Sequence, residues 1–173
     1  MLLLSFFTFF HCQTKKNLFY NLNGPQNFQV TAKISLHEIK KEMLIIDDTA
    51  THLLRITKEF PMVVDGTPML LLIETRHQDI ERNINKLSIL YTFYNVTVTE
   101  QYYFKNNTLI AYKIHEYRSK NLLHSEAGYV INYNSLDAYV NGKKCKLEEN
   151  SKQMILDKTK DNVFQYFKLL YTK

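Results

Sequence analysis

The spacing of apolar residues changes repeatedly along this chain, and each change predicts a different element. Leu2 to Phe10 is a run of nine residues, apolar except for Ser5 and Thr8. Phe28, Val30, Ala32 and Ile34 then alternate with Gln29, Thr31, Lys33 and Ser35, the period of a strand with one buried face. From Leu36 the period lengthens. Leu36, Ile39, Met43, Ile46, Ala50 and Leu53 follow a 3-4-3-4-3 spacing, and Ser35 with Glu38 makes a capping box, so one helix or two is predicted over 36–59. Asp47-Asp48-Thr49 is a candidate break. Pro61 should end the segment, because its ring removes a donor and pushes Phe60 away from helical conformation.

Asp65-Gly66-Thr67-Pro68 predicts a turn, and the apolar run Met69 to Thr75 suits a buried strand. Arg76 to Asn85 is charged and supports no assignment. From residue 86 the period is two: Leu87, Ile89, Tyr91 and Phe93 share a face, followed by Val96, Val98, Tyr102 and Phe104. Asn106-Asn107 tolerates the positive φ of a two-residue hairpin turn, and Leu109 to Tyr117 is the returning strand. A polar loop is expected at 118–125. Gly128–Tyr133 and Leu136–Val140 then form a hairpin around Asn134-Ser135, and Asn141-Gly142 marks another tight turn. Strands joined this closely are antiparallel neighbours. The last segment reads as a helix capped by Asn150 or Ser151. Ile155, Thr159, Val163, Phe167 and Leu170 line one stripe, which Met154, Phe164 and Tyr171 widen. The expected fold class is therefore α+β, an antiparallel β-meander sheet packed by a central helical segment and a C-terminal helix.

At 173 residues, with only four Gly and three Pro, the chain is expected to hold a single domain, residues 27–173, without long flexible linkers. The formal charge of +5 lies entirely beyond residue 12. Lys15-Lys16, Lys40-Lys41 and Lys143-Lys144 are scattered, which describes a solvated lysine surface more simply than a dedicated site for anionic headgroups or polyanions.

The apolar run at the start is shorter than the roughly 20 residues a membrane span requires and has the length of a secretory core. Residues 1–11 are therefore expected to be a signal peptide and 12–26 a polar tether. The other reading is a buried N-terminal strand or helix, with Cys12 an ordinary thiol. Phe9-Phe10-His11-Cys12-Gln13, followed by Thr14-Lys15-Lys16, resembles the lipobox of bacterial lipoproteins, with His11 where members carry Gly, Ala or Ser. No Lys or Arg precedes the apolar run. A Phe-rich signal ending in Cys-Gln is similar to those of small, uncharacterised lipoproteins from Bacteroidetes-type bacteria. Over residues 1–16 the resemblance implies cleavage before Cys12, acylation of its thiol by palmitate-type chains, and a lipid-anchored place in the cell envelope. Gln13 implies sorting to the outer membrane, facing the periplasm. Tyr102–Ile110 and Tyr129–Asp137 repeat an aromatic strand, an Asn turn and a returning Leu 27 residues apart. They resemble the hairpin units of small secreted β proteins, although independent hairpin chemistry accounts for them equally well.

Chemical signals are sparse. Acylation of Cys12 leaves Cys145 without an intramolecular partner; it is expected to be a small core residue, the alternative being a thiol activated by neighbouring lysines. His37, His52, His77, His115 and His124 are widely separated, so no metal site and no cofactor are expected. Asp48 and His52 lie one helical turn apart and read as a surface pair. Glu74, His77 and Asp79 make a polar knot of unassigned order. Tyr102-Tyr103-Phe104 beside Lys105 has the composition of a stacking platform, but alternation sends Tyr103 to the opposite face, and no nucleic-acid partner is expected. Asn95 and Asn106 open glycosylation triplets that read as strand and turn residues. The expected function is a non-enzymatic binding or structural role in the envelope, with an envelope protein or glycan as partner. An immunity or inhibitor lipoprotein is the alternative, and an envelope-polymer hydrolase using acids such as Glu74 or Glu116 is the third class.

Overall fold

The computed structural model describes residues 34–48, 52, 54–77, 83–132 and 135–171. The expected signal peptide, Cys12, the tether, most of the strand expected at 28–35, Ala50, Leu53, Asp79, Tyr133 and Asn134 of the expected Asn134-Ser135 turn lie outside the described residues.

Helix α1 spans Leu36–Asp47. Its capping box forms as the sequence implies, with the Glu38 amide donating to Ser35 Oγ (3.2 Å) and the Ser35 amide donating to Glu38 Oε2 (2.7 Å). Donation to Glu38 Oε2 from the Ser35 amide, and then from the Ser35 hydroxyl (2.8 Å), holds the Glu38 carboxyl below its ordinary range. Ile39, Met43 and Ile46 are its buried stripe. The helix stops at Asp48, so residues 54–59 are not its continuation. They open strand β1 (Leu54–Val64), which pairs along all eleven residues with β2 (Thr67–His77) across the Asp65-Gly66 turn. Pairing with a neighbour outweighs local helical spacing there. Pro61 accordingly terminates no helix; it sits inside β1, an edge strand among the described residues, where a missing N–H costs no ladder bond.

The remaining strands are β3 (Ile84–Phe93), β4 (Val96–Lys105), β5 (Thr108–Arg118), β6 (Asn121–Asn132), β7 (Ser135–Val140) and the two-residue β8 (Lys143–Lys144). They form one eight-stranded antiparallel sheet in the order β1 to β8, the meander the sequence implies. Asn106-Asn107 and Asn141-Gly142 both adopt the positive φ anticipated for them. The polar loop expected at 118–125 is absent. Ser119 (φ 49°) and Lys120 (φ 72°) make a two-residue turn, and β6 starts at Asn121.

Helix α2 (Glu149–Tyr171) covers one face of the sheet and α1 covers part of the other. Tyr102, Phe104 and Tyr112 pack with Val163, Tyr166 and Leu170 of α2, while Tyr103, Ala111 and Tyr129 pack with Ile39, Met43 and Ile46 of α1. Alternation thus places Tyr103 opposite Tyr102 and Phe104, but all three rings are buried, so none is a stacking surface. On α2 the buried positions are Leu156, Thr159, Val163, Tyr166 and Leu170. The helix is rotated from the expected stripe. Ile155 and Phe167 flank the core, Met154 and Tyr171 are exposed, and Asn150 and Ser151 fall inside the first turn. Tyr166 decides the rotation, because its hydroxyl reaches a carboxylate inside the sheet layer.

Candidate functional site

The α1 face of the sheet carries an open groove of about 350 Å³. Register builds it. On β5, β6 and β7, Lys113 stands opposite Ala127, and Ala127 opposite Tyr139. In the next row toward the strand ends, His115 stands opposite Ser125. The row on the other side, Tyr103, Ala111 and Tyr129, is the one roofed by α1. The small side chains of Ala127 and Ser125 leave depth between taller neighbours. Gly142 lines the groove as well, and its turn is joined to β6 by two bonds, Asn141 N to the Ser125 carbonyl (2.7 Å) and Ser125 N to Asn141 Oδ1 (2.9 Å).

Two cations stand at this groove. Lys40 of α1 places Nζ 5.5 Å from the centroid of the Tyr129 ring, and Lys113 places Nζ 5.5 Å from that of Tyr103. These are cation–π contacts, and neither lysine has a carboxylate partner among the described residues. Tyr129 and Tyr139 meet edge to face at 5.5 Å and 83°. Burial, then the neighbouring Tyr139, raises the Tyr129 phenol, so it stays protonated. The Tyr117 hydroxyl lies 3.3 Å from His115 Nδ1. Burial and then Lys113 hold the His115 imidazole below its ordinary range, so it is neutral at pH 7. Among the described residues no carboxylate lines the groove. Acids of α1 and β7 are engaged elsewhere: Asp137 with Lys144 (2.7 Å), Glu42 with Lys105 (2.9 Å), and Asp47 with Lys86 and the Tyr103 hydroxyl.

A second polar cluster lies inside the α2 layer, where no local pattern marks one. Glu100 is 4% exposed and accepts from Tyr102 (2.5 Å), Tyr166 (3.0 Å) and Tyr91 (3.4 Å). Burial raises its carboxyl, against the pull of these three phenols. It has too little access to be a site and acts as a clasp between sheet and helix. An acid whose pKa is higher folded than unfolded makes the native state bind its proton more tightly, so stability falls as pH rises from the unfolded value of 4.5 through the folded one. Glu100→Gln should therefore be more stable than wild type at pH 8, by on the order of 1 kcal/mol. The gain should disappear toward pH 4.5, as read from urea midpoints at the two values. A variant less stable at pH 8 would show that the ionised form is favoured.

The residues singled out from the sequence do not assemble into a catalytic centre. Glu74 bonds Arg76 (2.8 Å) and pairs with Arg55 (3.5 Å), whereas His77 is buried with Nε2 3.2 Å from Thr75 Oγ1 on the other face of β2, which separates the expected knot. Glu74 shares a register row with Lys113 on the α1 face, and Glu116 lies on the α2 face. His52 turns its Nε2 to the Ile46 carbonyl and not to Asp48. Cys145 is half-buried beside the α2-side core, its Sγ 3.9 Å from the Lys143 carbonyl. Among the described residues no three His, Cys, Asp or Glu gather as metal ligands, and no helix is long and apolar enough to cross a membrane. Lys113, His115, Ser125 and Tyr139 were missed as a group because they lie on three strands. Their only sequence signal is Lys-x-His facing Ser-x-Ala-x-Tyr in adjacent strands. Comparison with protein-family models, with curated proteins and with solved structures found no match.

Proposed function

We propose that this chain is a non-enzymatic envelope lipoprotein, anchored through Cys12, whose folded domain binds an anionic partner in the groove beside α1. The observation that carries the binding role is the charge imbalance of the groove: Lys40 and Lys113 stand at it, and no carboxylate among the described residues lines it. Its open form favours docking over turnover, and the acids considered for a hydrolase, Glu74 and Glu116, point to opposite faces. The anchor rests on Phe9-Phe10-His11-Cys12-Gln13.

Two measurements test the reading. In cells given an alkyne fatty acid, wild-type chain should take up label and fractionate with membranes, and Cys12→Ala should lose both; unchanged labelling removes the anchor. Immobilised full chain should retain an envelope component that Lys113→Glu releases, because the substitution reverses the charge of the groove. Retention indifferent to Lys113→Glu removes the groove.

A further inference from the structure

The groove's inventory narrows the partner. Besides the two ammonium groups, it presents Ser125 Oγ, His115 Nε2 and the hydroxyls of Tyr129 and Tyr139, none of which has a hydrogen-bond partner among the described residues. Four uncommitted donor–acceptor groups in one open groove suit a ligand rich in hydroxyls. A tyrosine ring adds an apolar surface against which the C–H face of a sugar can lie, and the volume of about 350 Å³ is at the small end for a ligand site. A peptide or an extended polyanion would need a longer basic track. Two of the lysines around it are neutralised, Lys144 by Asp137 and Lys105 by Glu42.

We infer that the groove beside α1 binds an anionic saccharide, its charged group held by Lys40 and Lys113, its hydroxyls by Ser125 and His115, and that protonation of His115 tightens the hold. This rests on the binding role proposed above and specifies its ligand. His115 is the switch because no carboxylate among the described residues lines the groove with it. It faces Thr99 and Gln101 of β4, Lys113 and Tyr117 of β5 and Ser125 of β6, with Lys40 of α1 and Tyr139 of β7 across the groove. On this face Asp137 is paired with Lys144, and Glu74 with Arg76 and Arg55. A proton on His115 therefore adds a third positive charge to the site. Burial and then Lys113 keep its pKa low, so the charge appears below pH 6.5. An anionic ligand opposes that depression and draws the proton in.

Isothermal titration calorimetry on the full chain in detergent gives the test, with a galacturonic acid oligosaccharide, galactose 6-phosphate and a neutral galactose oligosaccharide as probes. The acidic oligosaccharide or the phosphate should bind and the neutral sugar should not, and whichever binds better identifies a sugar acid or a phosphosugar as the charge recognised. Lys113→Gln and Lys40→Gln should each weaken binding roughly tenfold. Lys40 is exposed on α1, so its variant reports on the site without risk to the fold. Affinity for the acidic oligosaccharide should rise between pH 7.5 and pH 5.5, where its carboxylates remain ionised, and His115→Gln should flatten that rise. Equal binding of neutral and acidic sugars, indifference to both lysines, or a pH profile unchanged in His115→Gln overturns the inference. If no sugar binds but Lys113→Glu still releases an envelope component, the saccharide fails and the binding role stands; if nothing is released, both fail.

Discussion

Gly128→Ala should destabilise the domain by about 3 kcal/mol, the upper part of the range for forcing a methyl group into a filled core. Gly128 has no left-handed φ to satisfy; space alone requires glycine. It lies on β6 directly opposite Tyr112 of β5, whose ring rests across it. A Cβ there would stand 2.1 Å from Tyr112 Cε1 and 2.6 Å from Cζ. The ring has little freedom to retreat. It is 1% exposed, belongs to the core under α2, and its hydroxyl donates to Glu126 at 2.7 Å. Urea denaturation of Gly128→Ala, Tyr112→Ala and the double variant checks this. The double variant should be far more stable than the sum of the single losses implies, because without the ring the new methyl group fills the cavity. Additive losses would mean that the clash is not the cause.

Asp47→Ala should cost about 3 kcal/mol, the low end for stranding one member of a buried ion pair, since the Asp47 side chain is itself 37% exposed. Its partner Lys86 is the buried member, with a side chain 5% exposed, an ion pair to Asp47 and Nζ 4.9 Å from the Tyr103 ring centroid. Burial lowers the Lys86 pKa and Asp47 partly restores it. A lysine whose folded pKa lies below its unfolded value opposes folding while it must stay charged, and that penalty fades as pH rises toward 10.5. Removing Asp47 deepens the depression, so the gap between variant and wild type should be widest at pH 7 and narrow by pH 9.5. Lys86→Met, by contrast, deletes the buried charge and should be nearly neutral. The asymmetry between the two partners, followed by thermal melting across that pH range, is the measurement; equal losses would indicate ordinary packing on both sides.

The hairpins were legible where their turns carry chemical labels. Asp65-Gly66, Asn106-Asn107 and Asn141-Gly142 announce positive φ because those residue types tolerate it. Ser119-Lys120 adopts the same geometry without the label, so β6 reads from sequence as a loop at its start. The helical reading of 54–59 failed because Leu53 happens to continue the 3-4 spacing, whereas the bonds that make β1 come from β2, beyond any local window. The rotation of α2 has the same origin: Tyr166 faces inward to reach Glu100, a partner 66 residues away. The groove was the least legible feature. Each of its residues looks ordinary alone, and only the strand register with the end of the α1 roof makes them neighbours.

Because every strand in the meander pairs with the one before it in the chain, the sheet can grow by successive hairpins without closing a long loop. The ordering cost of distant segments falls on the two helices, and α2 reaches Glu100 only once β4 is in place. Within the clasp the bond from Tyr166 to Glu100 is thus a late contact on the way to the native state, and its strength sets how long the folded domain lasts more than how quickly it forms.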